Sequence, residues 1–169
     1  FALCEEKSGS DLAKIKARAS LWLGDYELTG EKTLVSNGAI ADFYVVFADA
    51  EGHQLQTGPS AFFVPRNASG LSIIETLEAT ASRPLTRIRL EKVNVATRIG
   101  YPAQGIKIAM DVLDIFRPTN GAAAIGIARR ALEEIIQGIG DDVNISDQQT
   151  FQSRIAQIVE EINAAALVV

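Results

Sequence analysis

The 169 residues carry 47% hydrophobic and 22% charged side chains, the proportions of an ordinary globular chain with room for one good-sized domain, or one domain and part of another. A net charge of −5 and a pI near 4.9 argue against nucleic acid as a main partner, because phosphate binding needs a basic surface. No apolar run approaches the roughly 20 residues of a membrane span. The single cysteine, Cys4, excludes an internal disulfide framework and a thiolate metal cluster. The single histidine, His53, excludes a zinc site built on several histidines. A Ser-His-Asp triad would have to use it, and its place after Gly52 in a polar turn reads as a solvated side chain.

The first stretch, Phe1-Ala2-Leu3-Cys4, reads as an apolar strand that runs into the charged Glu5-Glu6-Lys7 and a small-residue turn ending in Gly9-Ser10-Asp11. Glycine lets a backbone approach a bound group closely, and Ser and Asp hydrogen-bond through side chain or main chain. The corner suits a ligand, and it equally suits a plain strand-to-turn junction. From Ile15 to Phe63 the signals are β. Ile15, Ala17, Ala19 and Leu21 alternate with polar residues, Leu23-Gly24-Asp25 supplies a turn, and Tyr26-Glu27-Leu28 returns. Gly30 punctuates before a further strand, Lys32 to Ser36, which ends at Asn37-Gly38. Phe43 to Ala48 is a continuous apolar run expected to be buried on both faces. Ala61 to Val64, Leu71 to Ile74 and Leu85 to Leu90 complete the strands, a pattern that suggests a compact antiparallel barrel or sandwich.

Near Ala103 the period changes. Ile106, Met110 and Leu113, then Ile125, Ala128, Leu132 and Ile135, fall at helical steps of three and four. Pro118 is expected to kink this helix or loosen a turn, since it removes a backbone donor. Gly138-Ile139-Gly140 ends it. Ser146-Asp147-Gln148-Gln149 reads as a capping box for a second helix with Phe151, Ile155, Ile158, Ile162 and Ala165 on its apolar stripe. Two long helices with a short connection are expected to pack antiparallel, and they cannot complete a bundle alone. The chain begins inside an apolar stretch and stops inside an apolar helix, which reads as a piece of a longer protein.

Three ordered motifs together resemble the flavin-dependent acyl-CoA dehydrogenase family. They are Phe1-Ala2-Leu3-Cys4-Glu5 with Gly9-Ser10-Asp11, then Leu28-Thr29-Gly30-Glu31-Lys32 with Ser36-Asn37-Gly38. The third runs from Gly105-Ile106-Lys107 through Arg117-Pro118 to Gly126-Ile127-Ala128-Arg129-Arg130. The resemblance implies an α+β piece: an antiparallel β-barrel or sandwich domain over residues 1–100, followed at 101–169 by the first two antiparallel helices of an incomplete bundle. It implies FAD as cofactor and α,β-desaturation of an acyl thioester, carried by CoA or by an acyl-carrier protein. In that chemistry a carboxylate takes the α-proton while flavin N5 accepts a hydride, and polarisation of the thioester carbonyl makes the α-proton acidic.

Carried over position by position, the resemblance puts Leu3 and Cys4 at the flavin edge, Ser36 at a second hydroxyl position near it, and Leu34 where an aromatic often flanks it. Ser10 falls where the thioester ligand is contacted, and Asp114 and Arg117 fall on the ligand channel. Each has a structural reading too: Cys4 as a small buried hydrophobe, Ser36 as a strand-end turn former, Asp114 and Arg117 as an i,i+3 ion pair. The pattern departs at Cys4, where Thr or Ser is usual, and at Asp141-Asp142, where many members carry Arg-x-x-Phe-Gly. No residue here takes the role of catalytic base. Most members supply it from a later helix, and the minority position is Phe116. Glu133 and Glu134 read as surface residues. The resemblance further implies an electron-transfer partner, a homo-oligomer (a tetramer in the family) and a cytoplasmic or mitochondrial-matrix location. The departures motivate an alternative, a non-catalytic or carrier-linked homologue with weakened flavin binding.

Overall fold

The computed structural model describes residues 1–9, 11–50, 58–79, 84–139 and 148–169. It divides into a β unit, Phe1–Met110, and a helical unit, Asp111–Val169. The strands are β1 (Arg18–Trp22), β2 (Asp25–Ser36), β3 (Phe43–Ala50), β4 (Pro59–Pro65), β5 (Leu71–Leu77), β6 (Leu85–Val95) and β7 (Arg98–Ile99). They form one seven-stranded sheet in the order β5-β6-β2-β1-β3-β4-β7, so the α+β class holds while the sheet is not closed into a barrel. Its pairings are antiparallel except for β1 with β3, which run parallel with Arg18 opposite Asp49.

The sheet folds over on itself. Tyr26 on β2 and Phe62 on β4 are not on neighbouring strands, yet their rings meet at 5.0 Å between centroids. Around that contact Leu28, Val35, Tyr44, Val46, Val64, Ile88, Leu90 and Val93 form the main core. A full-length aromatic or aliphatic side chain buried in this way contributes about 1.5–3 kcal/mol. A smaller cluster of Leu3, Phe47, Ala61 and Ala109 lies beside it.

Several sequence expectations change in detail. Leu23 and Gly24 both have positive φ (50° and 95°), the geometry that suits a tight β1–β2 hairpin. Tyr26–Leu28 and Lys32–Ser36 are not two strands but one, β2, whose pairing with β6 shifts between Leu28 and Gly30 and again between Lys32 and Val35. Gly30 interrupts without ending the strand because a β-bulge absorbs it. At φ 149°, a Cβ on it would come within 2.8 Å of Ala17. Of Phe43–Ala48, expected to be buried on both faces, Tyr44, Val46, Phe47 and Ala48 are buried, Val45 is half-buried and Phe43 is exposed at the strand's start.

Helix α1 (Gly105–Ile139) begins on the β unit. Its docking residues are Gly105 and Ala109, not the expected Ile106, which stays exposed. The reason is spacing: a Cβ on Gly105 would lie 2.4 Å from the Pro59 carbonyl oxygen. A first turn held that close to β4 admits only small residues on its contact side. Pro118 does not break α1, which is continuous through it. Helix α2 spans Gln149–Val168. Within the helical unit Gly121 lies against the Val169 side chain, so the end of α2 returns beside the middle of α1. Half-buried residues trace one line on each helix, Ile125, Ala128 and Leu132 on α1 and Phe151, Ile155 and Ile162 on α2. Ile135 and Ile158 of the expected stripes are exposed, and the Ser146-Asp147 half of the capping box lies outside the described residues.

Candidate functional site

The opening stretch is extended but is not a strand of its own. Ala2 forms an isolated parallel bridge to Val46. Its N–H donates to the Val45 carbonyl at 2.7 Å, and its carbonyl accepts from Phe47 N–H at 3.2 Å. Two residues on, the Cys4 carbonyl accepts from Thr33 N–H at 2.9 Å, so the segment crosses from β3 to β2. It then doubles back. Glu5 and Ser8 exchange backbone hydrogen bonds, and Ser8 Oγ donates to the Asp11 carbonyl at 2.7 Å. Gly9 is exposed with open space around it.

Between these anchors lie two backbone donors. Leu3 is 7% exposed and Cys4 half-buried, and among the described residues neither N–H meets an acceptor. Buried backbone N–H groups are almost always paired, since leaving one unpaired costs about 1–3 kcal/mol. The end of β2 lies alongside through the Thr33 bond. There Val35 is in the core, while Leu34 (53% exposed) and Ser36 face outward on the other side. Leu34 has φ 54°, a left-handed backbone at the Lys32–Val35 bulge. The Thr33 bond thus sets the segment of Leu3 and Cys4 beside the end of β2 that carries Leu34 and Ser36, with donors on one and an exposed apolar side chain and a hydroxyl on the other.

Sequence reasoning quoted Glu5 and Lys32 within motifs and gave neither a role. The structure makes them a hub. Lys32 Nζ is fully buried, donating to Glu5 Oε1 at 2.8 Å and to the Leu3 carbonyl at 3.2 Å. Glu5 also accepts from Ala17 N–H at 3.0 Å and Lys16 N–H at 2.8 Å. Burial alone would raise the Glu5 carboxyl, but the Lys32 hydrogen bond, the two backbone donors and the lysine charge together hold it below the ordinary carboxylate value. Burial pushes the Lys32 ammonium down, against the pull of Glu5. The available signal was a lysine in an otherwise inward-facing run of β2, a placement that requires a partner. A cavity of about 240 Å³ opens beside the pair, with Lys14, Lys16, Glu31 and Arg87 among its lining, and reaches none of Leu3, Cys4, Leu34 and Ser36.

The remaining candidates lie elsewhere. Ser10, His53 and Asp141-Asp142 lie outside the described residues. In the helical unit, Arg117 Nη1 donates to Asp114 Oδ1 at 3.0 Å, the i,i+3 ion pair of the structural reading, with both side chains exposed. Phe116 is exposed, and Glu133 and Glu134 are both paired with Arg130.

Comparison with known proteins divides the chain near the start of α1. Residues 1–93 match the acyl-CoA dehydrogenase middle domain, and residues 103–169 match the acyl-CoA dehydrogenase C-terminal domain. The chain belongs to the acyl-CoA dehydrogenase family. A probable acyl-CoA dehydrogenase of Mycobacterium leprae is 34% identical over 100% of this chain and 46% of its own length. Glutaryl-coenzyme A dehydrogenase in its glutaryl-CoA complex superposes with a TM-score of 0.87 at 29% identity, over 99% of this chain and 44% of that one. An acyl-CoA dehydrogenase of Bacillus anthracis solved with FAD gives a TM-score of 0.85 at 29% identity, over 97% and 29%. The chain thus spans about half the length, 46%, of the curated relative it matches.

The residues at the Leu3–Cys4 corner fit a flavin edge. Two N–H groups on successive residues, without an acceptor among the described residues, offer donors to ring carbonyl and nitrogen acceptors, and Leu34 offers apolar surface to a flat ring. The Cys4 thiol is a weak donor, which leaves that task to the backbone.

Proposed function

We propose that the chain is the middle β domain and the first two helices of the C-terminal domain of an FAD-dependent acyl-CoA dehydrogenase that desaturates an acyl-CoA between its α and β carbons. The observation that carries this reading is the pair of donors at Leu3 and Cys4, which meet no acceptor among the described residues, beside the exposed Leu34 and Ser36. FAD, when bound, supplies the acceptor for the hydride that leaves the β-carbon. The chain's own residues hold and orient it: the N–H groups of Leu3 and Cys4 donate to the ring edge, Ser36 adds a hydroxyl donor, and Leu34 excludes water from one side. The resemblance assigns the thioester contact to Ser10, which lies outside the described residues. Asp114 and Arg117 line the acyl channel, Asp114 fixing the guanidinium through the 3.0 Å ion pair.

The α-proton needs a base that these residues do not supply. Phe116 has no group to accept a proton, and the carboxylates of Glu133 and Glu134 are engaged with Arg130. The base comes from residues beyond 1–169, as does the surface that covers the exposed apolar side chains of α1 and α2. Reoxidation requires an electron-transfer partner, and the helical faces support assembly with further copies. No helix among the described residues is long and apolar enough to cross a membrane.

The test is optical. The full-length protein carrying this sequence is expected to be yellow and to bleach when mixed with an acyl-CoA, whereas residues 1–169 alone show no turnover. A folded full-length preparation that is colourless and takes up no added FAD overturns the reading.

A further inference from the structure

The Glu5–Lys32 pair is placed between the two segments assigned to the flavin, and it touches the backbone of one while standing on the other. Lys32 is on β2, two residues before Leu34. Its ammonium, buried to 0% exposure, bonds both the Leu3 carbonyl and the Glu5 carboxylate. Glu5 is fixed from the far side by the N–H groups of Lys16 and Ala17. The one backbone bond that also joins the segments, Thr33 N–H to the Cys4 carbonyl, fixes their spacing at a single point. Lys32 adds a second, charged anchor to β2, on the peptide one residue earlier. The carbonyl of Leu3 belongs to the same peptide plane as the N–H of Cys4, so holding the former orients the latter.

We propose that Glu5 and Lys32 are positioning residues for the cofactor: they aim the Cys4 N–H at the flavin edge without touching the flavin. The inference rests on the flavin reading above. A pair serving stability alone needs only the contact between the two side chains and the Glu5 bonds to residues 16 and 17. The bond to the Leu3 carbonyl is the additional feature, and it ends at the peptide whose donor meets no acceptor among the described residues. This arrangement follows the general design in which a binding group is fixed by a buried support whose own hydrogen bonds are satisfied.

The experiment uses the full-length protein in four forms: wild type, Lys32→Met, Glu5→Gln and the double variant. Three quantities are measured for each: FAD affinity by flavin fluorescence, the visible circular dichroism of the bound flavin, and the unfolding temperature of the apoprotein. Lys32→Met is expected to weaken FAD binding by about tenfold, the loss of one hydrogen bond from a charged donor, and to change the visible dichroism. Glu5→Gln, which frees the ammonium to shift, produces the same change with smaller amplitude. The double variant leaves no unpaired buried charge, so its unfolding temperature recovers towards wild type. Its flavin affinity and dichroism do not, because methionine has no donor for the Leu3 carbonyl. Should those two quantities recover together with the unfolding temperature, the pair is structural and the proposal falls. Variants whose flavin affinity and dichroism match wild type also overturn it, and leave the dehydrogenase reading intact. A wild-type protein that binds no flavin removes both.

Discussion

The β unit and the helical unit are built from similarly apolar sequence, yet they bury it differently. In the β unit Phe62, Tyr44, Phe47 and Leu28 are 0–1% exposed, because a curled sheet meets its own far strands and closes a core. In the helical unit none of the described residues is buried, and Ile127 and Ile115 are 73% and 70% exposed. Two helices can shield only one line of contact on each other, and the remaining faces need further helices. One unit therefore carries its own stability and the other borrows it.

Breaking that contrast calls for matched truncations. In the 169-residue chain, Phe62→Ala is expected to cost about 3–5 kcal/mol in urea unfolding, for lost burial and the cavity left behind. Ile127→Ser in the same chain is expected to stay within about 0.5 kcal/mol, as exposed substitutions do. If further helices cover α1 in the full-length protein, as proposed above, the second variant becomes costly there, at roughly 2 kcal/mol or more. Equal costs for both variants in the short chain would erase the distinction between the units.

The helical unit also carries a local penalty of its own. Pro118 lies inside α1, where it donates no hydrogen bond and crowds the preceding turn. Thr119 Oγ1 donates to the Phe116 carbonyl at 2.7 Å, occupying one acceptor in that stretch. Pro118→Ala is expected to stabilise the helical unit by about 2–3 kcal/mol, seen as stronger helical circular dichroism that persists to higher temperature. The β unit's transition is expected not to move. A common shift of both transitions would show the units to be coupled.

A smaller effect belongs to the β unit alone and depends on pH. Glu5's folded pKa lies below its unfolded value, the latter about 4.3. The stability it contributes is thus fully present above that unfolded value and is lost as pH falls through the folded one. The unfolding midpoint of wild type is expected to drop more steeply below about pH 4.3 than that of Glu5→Gln. Parallel acid profiles for the two proteins would mean that Glu5 is no more stabilised in the fold than in the unfolded chain.

Most of the strands, both helices and the family were legible in the sequence because each rests on local pattern: alternation in β6, helical steps in α1, ordered motifs with their glycines. What was not legible depends on long-range approach. Nothing near Gly105 announces that a Cβ added there would lie 2.4 Å from the Pro59 carbonyl oxygen, so Ile106 was expected to dock where only Gly105 and Ala109 fit. Gly30 punctuates the text of β2, but whether it ends a strand or forms a bulge is decided by the register of β6. At the candidate site Cys4 and Ser36 were found by motif. Glu5 and Lys32, 27 positions apart, form a pair that only the crossing of the first segment onto β2 creates.

The smallest stability effect separates the two readings of the channel residues. Arg117 and Asp114 form an exposed ion pair at 3.0 Å, with side chains 57% and 66% exposed. Such pairs contribute about 0–1 kcal/mol, since solvent screens the attraction and two long side chains lose freedom. Arg117→Ala is therefore expected to shift the unfolding midpoint of the 169-residue chain by less than about 0.5 kcal/mol, a change near the limit of measurement. If the pair only decorates the helix, the full-length enzyme carrying Arg117→Ala keeps its KM for acyl-CoA as well. If Arg117 lines the acyl channel, KM rises about tenfold or more while the stability stays put, the loss expected for one charged hydrogen bond to a ligand. Asp114→Asn then gives a smaller rise, because it loosens the guanidinium without removing it. A large loss of stability in the short chain with no change in KM would return both residues to a purely structural role.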